Sequence, residues 1–289
     1  MLFALIKSMR PRQWSKNVFV LAAVVFDKKL LNPEAVGKSL AGMVLFCLLS
    51  SSVYLINDIL DAEADRNHPQ KRNRPIASGK LPVPVAAAAA IGIILVTIPL
   101  SFLLSSLFGW IASIYFLVNL AYSTRLKHIP LIDVLIIAAG FVLRVAAGVS
   151  LIQVERFSPW LYVVTTLLAL YIGFGKRRAE LTLLQNDANN HRRVLDGYNL
   201  ALLDQLITIV SGTTIVAYSL YTFSAPNLPD NHSMMLTIPF VIYGIFRYLY
   251  LIQVEQAGGA PEDIVLTDKP LQATILLWGL SVLFVFYLN

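Results

Sequence analysis

Between Val53 and Gly79 the chain reads VYLINDILDAEADRNHPQKRNRPIASG. An apolar segment ends in Asn57, Asp58, Asp61 and Asp65, and Arg66, Lys71, Arg72, Arg74 and Lys80 follow at once. If one helix continues through Asp65, a step of about 100° per residue puts Asn57, Asp58, Asp61 and Asp65 within a single arc of about 100°. Glu63 then falls on another face. Carboxylates crowded on one arc repel, and at a membrane boundary they need a compensating cation. Their hard oxygens suit Mg²⁺, which usually binds through one or two carboxylates and completes its shell with substrate phosphates. The dense cations suit a polyanionic substrate such as a diphosphate. The expected metal ligands are therefore Asn57, Asp58 and Asp61, with Asp58 and Asp61 also serving the chemistry. Asp65 either joins them or holds a cation of the following loop. Pro69, Pro75 and Pro82 break the helix, so the cations are expected on a loop that folds over the site. The plainer alternative is a solvated helix end with internal salt bridges.

The elements that must carry these residues are membrane helices. The 289 residues are 57% hydrophobic and only 14% charged, with 4 histidines and 1 cysteine. Soluble domains carry about 25% charged residues, and the mean hydropathy here is +0.67. The fold class expected is all-α and polytopic, because a spanning segment must satisfy its own backbone groups. Nine transmembrane helices are read, at 14–31, 38–59, 83–104, 107–123, 131–152, 158–175, 200–223, 234–252 and 270–288. The absence of internal repeats points to one domain over 1–289. Cys47, alone in an apolar run, can form no intramolecular disulfide and reads as a packing residue. The scattered histidines suggest no metal site. Lys7, Arg10, Arg12 and Lys16 before the short run Val18–Phe26 resemble a signal peptide, but Asp27-Lys28-Lys29 closes that run and no small-residue cleavage site follows.

Charge sets the orientation. Seventeen Lys and Arg fall in the N-terminal tail and in loops 60–82, 124–130, 176–199 and 253–269, against four (Lys28, Lys29, Lys38 and Arg156) in the alternate loops. By the positive-inside rule the first set is cytoplasmic, which puts the N-terminus inside and Asn289 outside, in the cell (inner) membrane. The net charge of +6 thus reflects topology and implies no nucleic-acid partner. The long polar loops share the cytoplasmic side, and chemistry is expected there.

The pattern Asn57-Asp58-x-x-Asp61-x-x-x-Asp65, then Arg72-Asn73-Arg74-Pro75 and Ser78-Gly79, resembles the first aspartate-rich motif of the UbiA superfamily of membrane prenyltransferases. That resemblance implies nine helices, Mg²⁺ and a diphosphate-bearing donor above a lipid-filled cavity. The usual second aspartate-rich motif is missing. After the sixth helix the chain reads YIGFGKRRAEL (Tyr171–Leu181), with one acid, Glu180, and three cations. Lys176 and Glu180 lie one helical turn apart and can pair, while Lys176 and Arg177 suit a phosphate. A positive-inside anchor is the alternative. GKRRAEL, RPRQWSKN (Arg10–Asn17), AYSTRLKH (Ala121–His128) and GGAPEDIVLTDKPLQ (Gly258–Gln272) together resemble the decaprenyl-phosphate phosphoribosyltransferase branch of the superfamily. This implies transfer of 5-phosphoribose from phosphoribosyl diphosphate (PRPP) to a polyprenyl phosphate, feeding cell-wall arabinan. The PRPP loop of soluble phosphoribosyltransferases is not evident.

Further polar residues join the expected site. Arg144, within the fifth helix, is assigned to a phosphate, or else to a buried pair with Asp133 or Glu180. Arg247 reads similarly or snorkels. Arg12 and Lys16 are expected at the acceptor phosphate, and Tyr122 and Lys127 near the substrate. Glu262 and Asp263 either bind ribose hydroxyls or cap their loop. Two other readings stay open: prenyl transfer from an allylic diphosphate to an aromatic or other small acceptor, and a transporter whose intramembrane charges mark an ion path. The sequence sets no oligomeric state, and a homo-oligomer is left open.

Overall fold

Asn32 starts the first long helix. Its side-chain Oδ1 accepts from the backbone N–H groups of Glu34 at 3.0 Å and Ala35 at 3.1 Å, and Pro33 occupies the first helical position. In the computed structural model of the protein, residues 1–67, 71–154, 158–185, 193–226, 228–255 and 261–287 are described. All regular structure among them is helical. The α-helices are α1 (Leu2–Ser8), α2 (Ala22–Phe26), α3 (Pro33–Leu60), α4 (Ala62–Arg66), α5 (Val83–Leu104), α6 (Ser106–Thr124), α7 (Ile132–Val149), α8 (Trp160–Gln185), α9 (Leu200–Ser224), α10 (Ile238–Gln253), α11 (Pro261–Thr267) and α12 (Lys269–Tyr287).

Seven of these segments are long and apolar enough to cross a membrane: Pro33–Leu60, Val83–Leu104, Ser106–Thr124, Ile132–Val149, Leu200–Ser224, Ser233–Gln253 and Lys269–Tyr287. Large apolar side chains lie open on them, including Leu95 (69% exposed), Leu103 (82%) and Leu276 (63%). Such surfaces need lipid around them, and the chain is a multi-pass membrane protein. The 28 residues of α3 rise about 42 Å, more than the roughly 30 Å of hydrocarbon, so one end of this helix must emerge.

Two expected spans differ from the rest. The sixth, expected at 158–175, continues to Gln185 as α8 and carries Lys176, Arg177, Arg178 and Glu180 on its last turns. The first, expected as a helix over 14–31, is a 3₁₀ helix (Pro11–Leu21) followed by the five-residue α2. The 3₁₀ winding places every third side chain on one side. Trp14, Asn17 and Val20 therefore face inward together: Trp14 Nε1 donates to Ser51 Oγ at 3.0 Å, Asn17 Nδ2 lies 3.3 Å from Ser50 Oγ, and Val20 is fully buried.

The chain groups into two compact units, 1–127 with 140–154, and 128–139 with 155–289. In the first, Val20, Phe46, Leu49, Phe108, Tyr115 and Leu151 form one core. Gly148 lets the 3₁₀ segment approach, since a Cβ there would lie 2.0 Å from the Val20 carbonyl oxygen. A second cluster, including Leu55, Ile76, Leu81 and Ala86, pins the 71–82 segment to α3 and α5. The other unit packs Val134, Tyr171, Phe174, Leu203, Ile207, Tyr248 and Ile252 into its own core.

Candidate active site

The acidic motif is built where α3 stops. Leu60 is its last residue, Asp61 adopts φ −91° and ψ 1°, and α4 restarts at Ala62. The backbone departs from ideal helix at Asp61, yet Asp61 N still donates to Asn57 O at 2.9 Å and Asp65 N to Asp61 O at 2.8 Å, and the acids take two sets of partners. Asp58, 3% exposed, receives Arg10 Nη2 at 2.5 Å and Arg74 Nη1 at 3.1 Å. Asp65, 4% exposed, receives the same Arg74 nitrogen at 2.6 Å. Asp61 accepts from Lys127 Nζ at 2.7 Å and from Asn57 Nδ2 at 3.1 Å. Three carboxylates are therefore matched by three cations, Arg74 from the loop that follows them and Arg10 and Lys127 from distant stretches of sequence. Buried carboxylates require this, because an unpaired charge at low dielectric is very costly.

Each cation is held in place by its own local structure. Arg10 sits in a left-handed turn, φ 55° and ψ 63°, between α1 and the 3₁₀ segment, and its guanidinium lies 4.9 Å from the centre of the Tyr54 ring. Arg74 belongs to a folded loop, with its N–H donating to Lys71 O at 2.9 Å and its carbonyl accepting from Ser78 N at 2.9 Å. Buried Ile76 and Leu81 anchor that loop, and Gly79 supplies its positive φ of 76°. The cation loop is thus a packed part of its unit. Arg66 is exposed and donates to Ala77 O at 3.3 Å, while Lys71 and Arg72 are exposed beside it.

A cavity of about 250 Å³ opens against this cluster, lined by Lys7, Ser8, Arg10, Asp58, Asn73 and Arg74 among others. Lys7, Arg10 and Asn73 were not among the residues expected here from sequence. In sequence Lys7 and Arg10 counted only toward the charge of the N-terminal tail; in the fold Arg10 sits in a left-handed turn and meets Asp58.

Among the described residues, no group of three or more His, Cys, Asp or Glu is arranged to hold a metal ion. Mg²⁺ does not demand one, since it draws ligands from substrate phosphates and water. Asp58 and Asp61 carry the hard-oxygen type that ion takes, and each is paired here with a side-chain cation that an incoming ion would displace.

Other expected site residues are placed elsewhere. Arg144 is 6% exposed; its Nε donates to Asn17 Oδ1 at 2.8 Å, its Nη2 donates to Tyr115 OH at 2.8 Å, and its guanidinium stacks near the Tyr115 and Phe141 rings. The polar partners found are an amide and a phenol, where a phosphate or an acid had been expected. In the second unit Arg177, 1% exposed, lies 2.8 Å from Asp133 Oδ2 and bonds Glu180. Tyr198 OH donates to Asp133 Oδ1 at 2.7 Å and accepts from Leu131 N at 2.6 Å. Arg177 and Glu180 thus take part in a network with Asp133, where the sequence pattern suggested a phosphate for Arg177 and Lys176 as the partner of Glu180. Arg247 pairs with Asp268 at 2.7 Å, and that contact holds the Asp268 carboxyl below the usual carboxylate range. Lys16, Tyr122 and Lys176 are half-buried and Arg12 is exposed. The side chains of Glu262 and Asp263, and residues 68, 156, 191 and 289, lie outside the described residues.

Residues 18–261 match the UbiA prenyltransferase family. The chain is 35% identical to decaprenyl-phosphate phosphoribosyltransferase of Mycolicibacterium smegmatis, over 95% of this chain and 89% of that one. It is 33% identical to the Corynebacterium glutamicum protein of the same name, over 98% and 87%, and 32% identical to that of Mycobacterium tuberculosis, over 94% and 91%. Its fold matches a UbiA homolog from Archaeoglobus fulgidus bound to DMAPP and Mg²⁺, with a TM-score of 0.74 and 18% identity over 99% of both chains. Aspartates closing a long membrane helix, the cations folded against them and this near full-length likeness agree: the chain belongs to the UbiA prenyltransferase family of membrane-embedded transferases.

Proposed function

We propose that this chain transfers 5-phosphoribose from PRPP to a polyprenyl phosphate, decaprenyl phosphate in the first instance, and releases diphosphate. The reaction is Mg²⁺-dependent and takes place at the cytoplasmic face of the inner membrane, with the N-terminus inside. The observation that carries this reading is identity of 32–35% over nearly the whole chain to relatives named for that transfer.

The chemistry suits the residues. The C1–O bond to diphosphate breaks with its electron pair leaving on oxygen, and C1 becomes oxocarbenium-like. An oxygen of the acceptor phosphate supplies the pair for the new C1–O bond. That phosphate is already ionised at neutral pH, so it needs orientation by cations more than a general base. Arg10 and Arg74 present guanidinium groups at the cavity. Lys127 pairs with Asp61, and Arg66 at the end of α4 adds positive charge together with Lys71 and Arg72 of the following loop. Lys176 is assigned to the donor, Arg12 and Lys16 to the acceptor phosphate, and Tyr122 to substrate contact. Asp58 and Asp61, with Asn57, would hold Mg²⁺, which when bound neutralises charge on the leaving diphosphate.

The test is direct. The purified protein in detergent is given labelled PRPP, a polyprenyl phosphate and Mg²⁺, with a chelator control. Chelator-sensitive label in the lipid phase is expected. Label that never reaches the lipid in a monodisperse sample, together with turnover of an allylic diphosphate on an aromatic acceptor, would replace this reading with prenyl transfer.

A further inference from the structure

The short helix α1 is too brief to span a bilayer, yet one of its faces is apolar and open. We infer that α1 is an interfacial anchor whose partner is the surrounding bilayer, with its apolar face seated at the boundary of headgroups and acyl chains and Lys7 on anionic headgroups. The inference does not depend on which group the protein transfers.

Three observations converge. The first is how the helix divides. Ala4, Leu5 and Met9 pack inward on the cluster of Leu55, Ala62, Ile76 and Leu81, and buried Ser8 donates from Oγ to Ala4 O at 3.0 Å. Leu2, Phe3 and Ile6 stay 72%, 81% and 44% exposed, within one arc of about 100° that Lys7 borders. A contiguous apolar face of this kind calls for lipid or a partner over it. The second is its level. The inward cluster straddles Leu60, where α3 ends and the polar stretch begins. The open face of α1 therefore lies where that span leaves the hydrocarbon. The third is charge. Residues 1–26 hold Lys7, Arg10, Arg12 and Lys16 and no Asp or Glu. Arg10 is taken by Asp58, while Lys7 and Arg12 are exposed. An apolar face with basic residues at its rim and no acid nearby is the pattern of a helix lying in an anionic membrane interface. Its 7 residues would bind lipid weakly alone, but the attached spans already hold them at the surface.

The test uses the full chain in nanodiscs, without substrate. Leu2→Cys carries a polarity-sensitive fluorophore, since Cys47 is buried. Bilayers of phosphatidylcholine alone are compared with phosphatidylcholine and phosphatidylglycerol in equal parts. Quenching is read with lipids spin-labelled near the headgroup, with lipids spin-labelled at the chain end, and with aqueous acrylamide. Blue-shifted emission, quenched most by the shallow spin label, is expected in both bilayers. Phosphatidylglycerol is expected to strengthen that quenching, and high salt to reverse the gain. Lys7→Gln should weaken the preference for phosphatidylglycerol about fivefold, the attraction of one cation to an anionic surface. Lys38→Gln is the control and should leave it unchanged, because Lys38 pairs with Glu34 at the opposite end of α3. Phe3→Ser combined with Ile6→Ser should lower shallow quenching in both bilayers. All of these positions are exposed, so the substitutions leave the core intact. Emission typical of water, quenched by acrylamide and by neither spin label, would overturn the anchor, as would strongest quenching from the chain end. Equal quenching in the two bilayers at low salt would overturn the choice of anionic lipid.

Discussion

Tyr198→Phe removes one oxygen from the centre of the second unit's polar network. That oxygen donates to Asp133 at 2.7 Å and accepts from the Leu131 N–H at 2.6 Å. A hydrogen bond to a charged group contributes about 1.5–3 kcal/mol and a neutral one about 0.5–1.5. Asp133 retains Arg177, so its charge is not stranded, which keeps the expected loss near 2–3 kcal/mol. Leu131 also holds a left-handed backbone, φ 68°, and loses the group that ties it there. At roughly 2–4 °C per kcal/mol for a domain of this size, the apparent Tm in detergent should fall by about 5–10 °C. Burial first, then the Asp133 carboxylate, push the Tyr198 phenol above its ordinary value. The unfolded chain therefore releases this proton first, near pH 10, and the stability it contributes is present below that pH and lost as pH rises further. Tyr198→Phe should flatten this alkaline loss. Thermal melts followed by size-exclusion chromatography, run from neutral to alkaline pH, measure both effects. A variant that melts within about 1 °C of wild type and keeps the same alkaline slope would refute the network's role.

Three further outcomes follow from the acidic motif and its cations. Asp58→Asn and Asp61→Asn should each abolish Mg²⁺-dependent turnover while the protein stays inserted and monodisperse; full activity in both removes the metal assignment. Asp65→Asn should raise the donor KM severalfold with Mg²⁺ dependence little changed, because Asp65 acts through Arg74 at 2.6 Å; a Mg²⁺ requirement shifted about tenfold would make Asp65 a ligand instead. Lys176→Ala should impair donor use far more than Lys28→Ala, and equal effects would reduce Lys176 to a topology signal.

The sequence by itself determined the solvent and the chemistry class. A chain with 14% charged residues cannot bury its apolar runs in a soluble core of ordinary size, so its helices had to meet lipid. Asp58, Asp61, Asp65 and the cations that follow them are close in sequence, and the requirement that buried charge be matched was readable from spacing alone. Local pattern did not show where that match is made. Asp61 departs from helical geometry, yet Asp58 and Asp65 still meet on one Arg74 nitrogen, while Asp61 takes Lys127 and Asn57 instead. The three-residue spacing of Trp14, Asn17 and Val20 was in the sequence, but hydropathy reads it as a span; docking against Ser50 and Ser51 makes it a 3₁₀ strap. Arg10, Lys127 and Arg74 reach the aspartates across separations of up to 66 residues. Arg177 and Tyr198 meet Asp133 across 44 and 65 residues. Charge type and local spacing name the groups that need partners, while long-range packing chooses the partners, since a buried charge is satisfied by whatever the fold brings within hydrogen-bond distance.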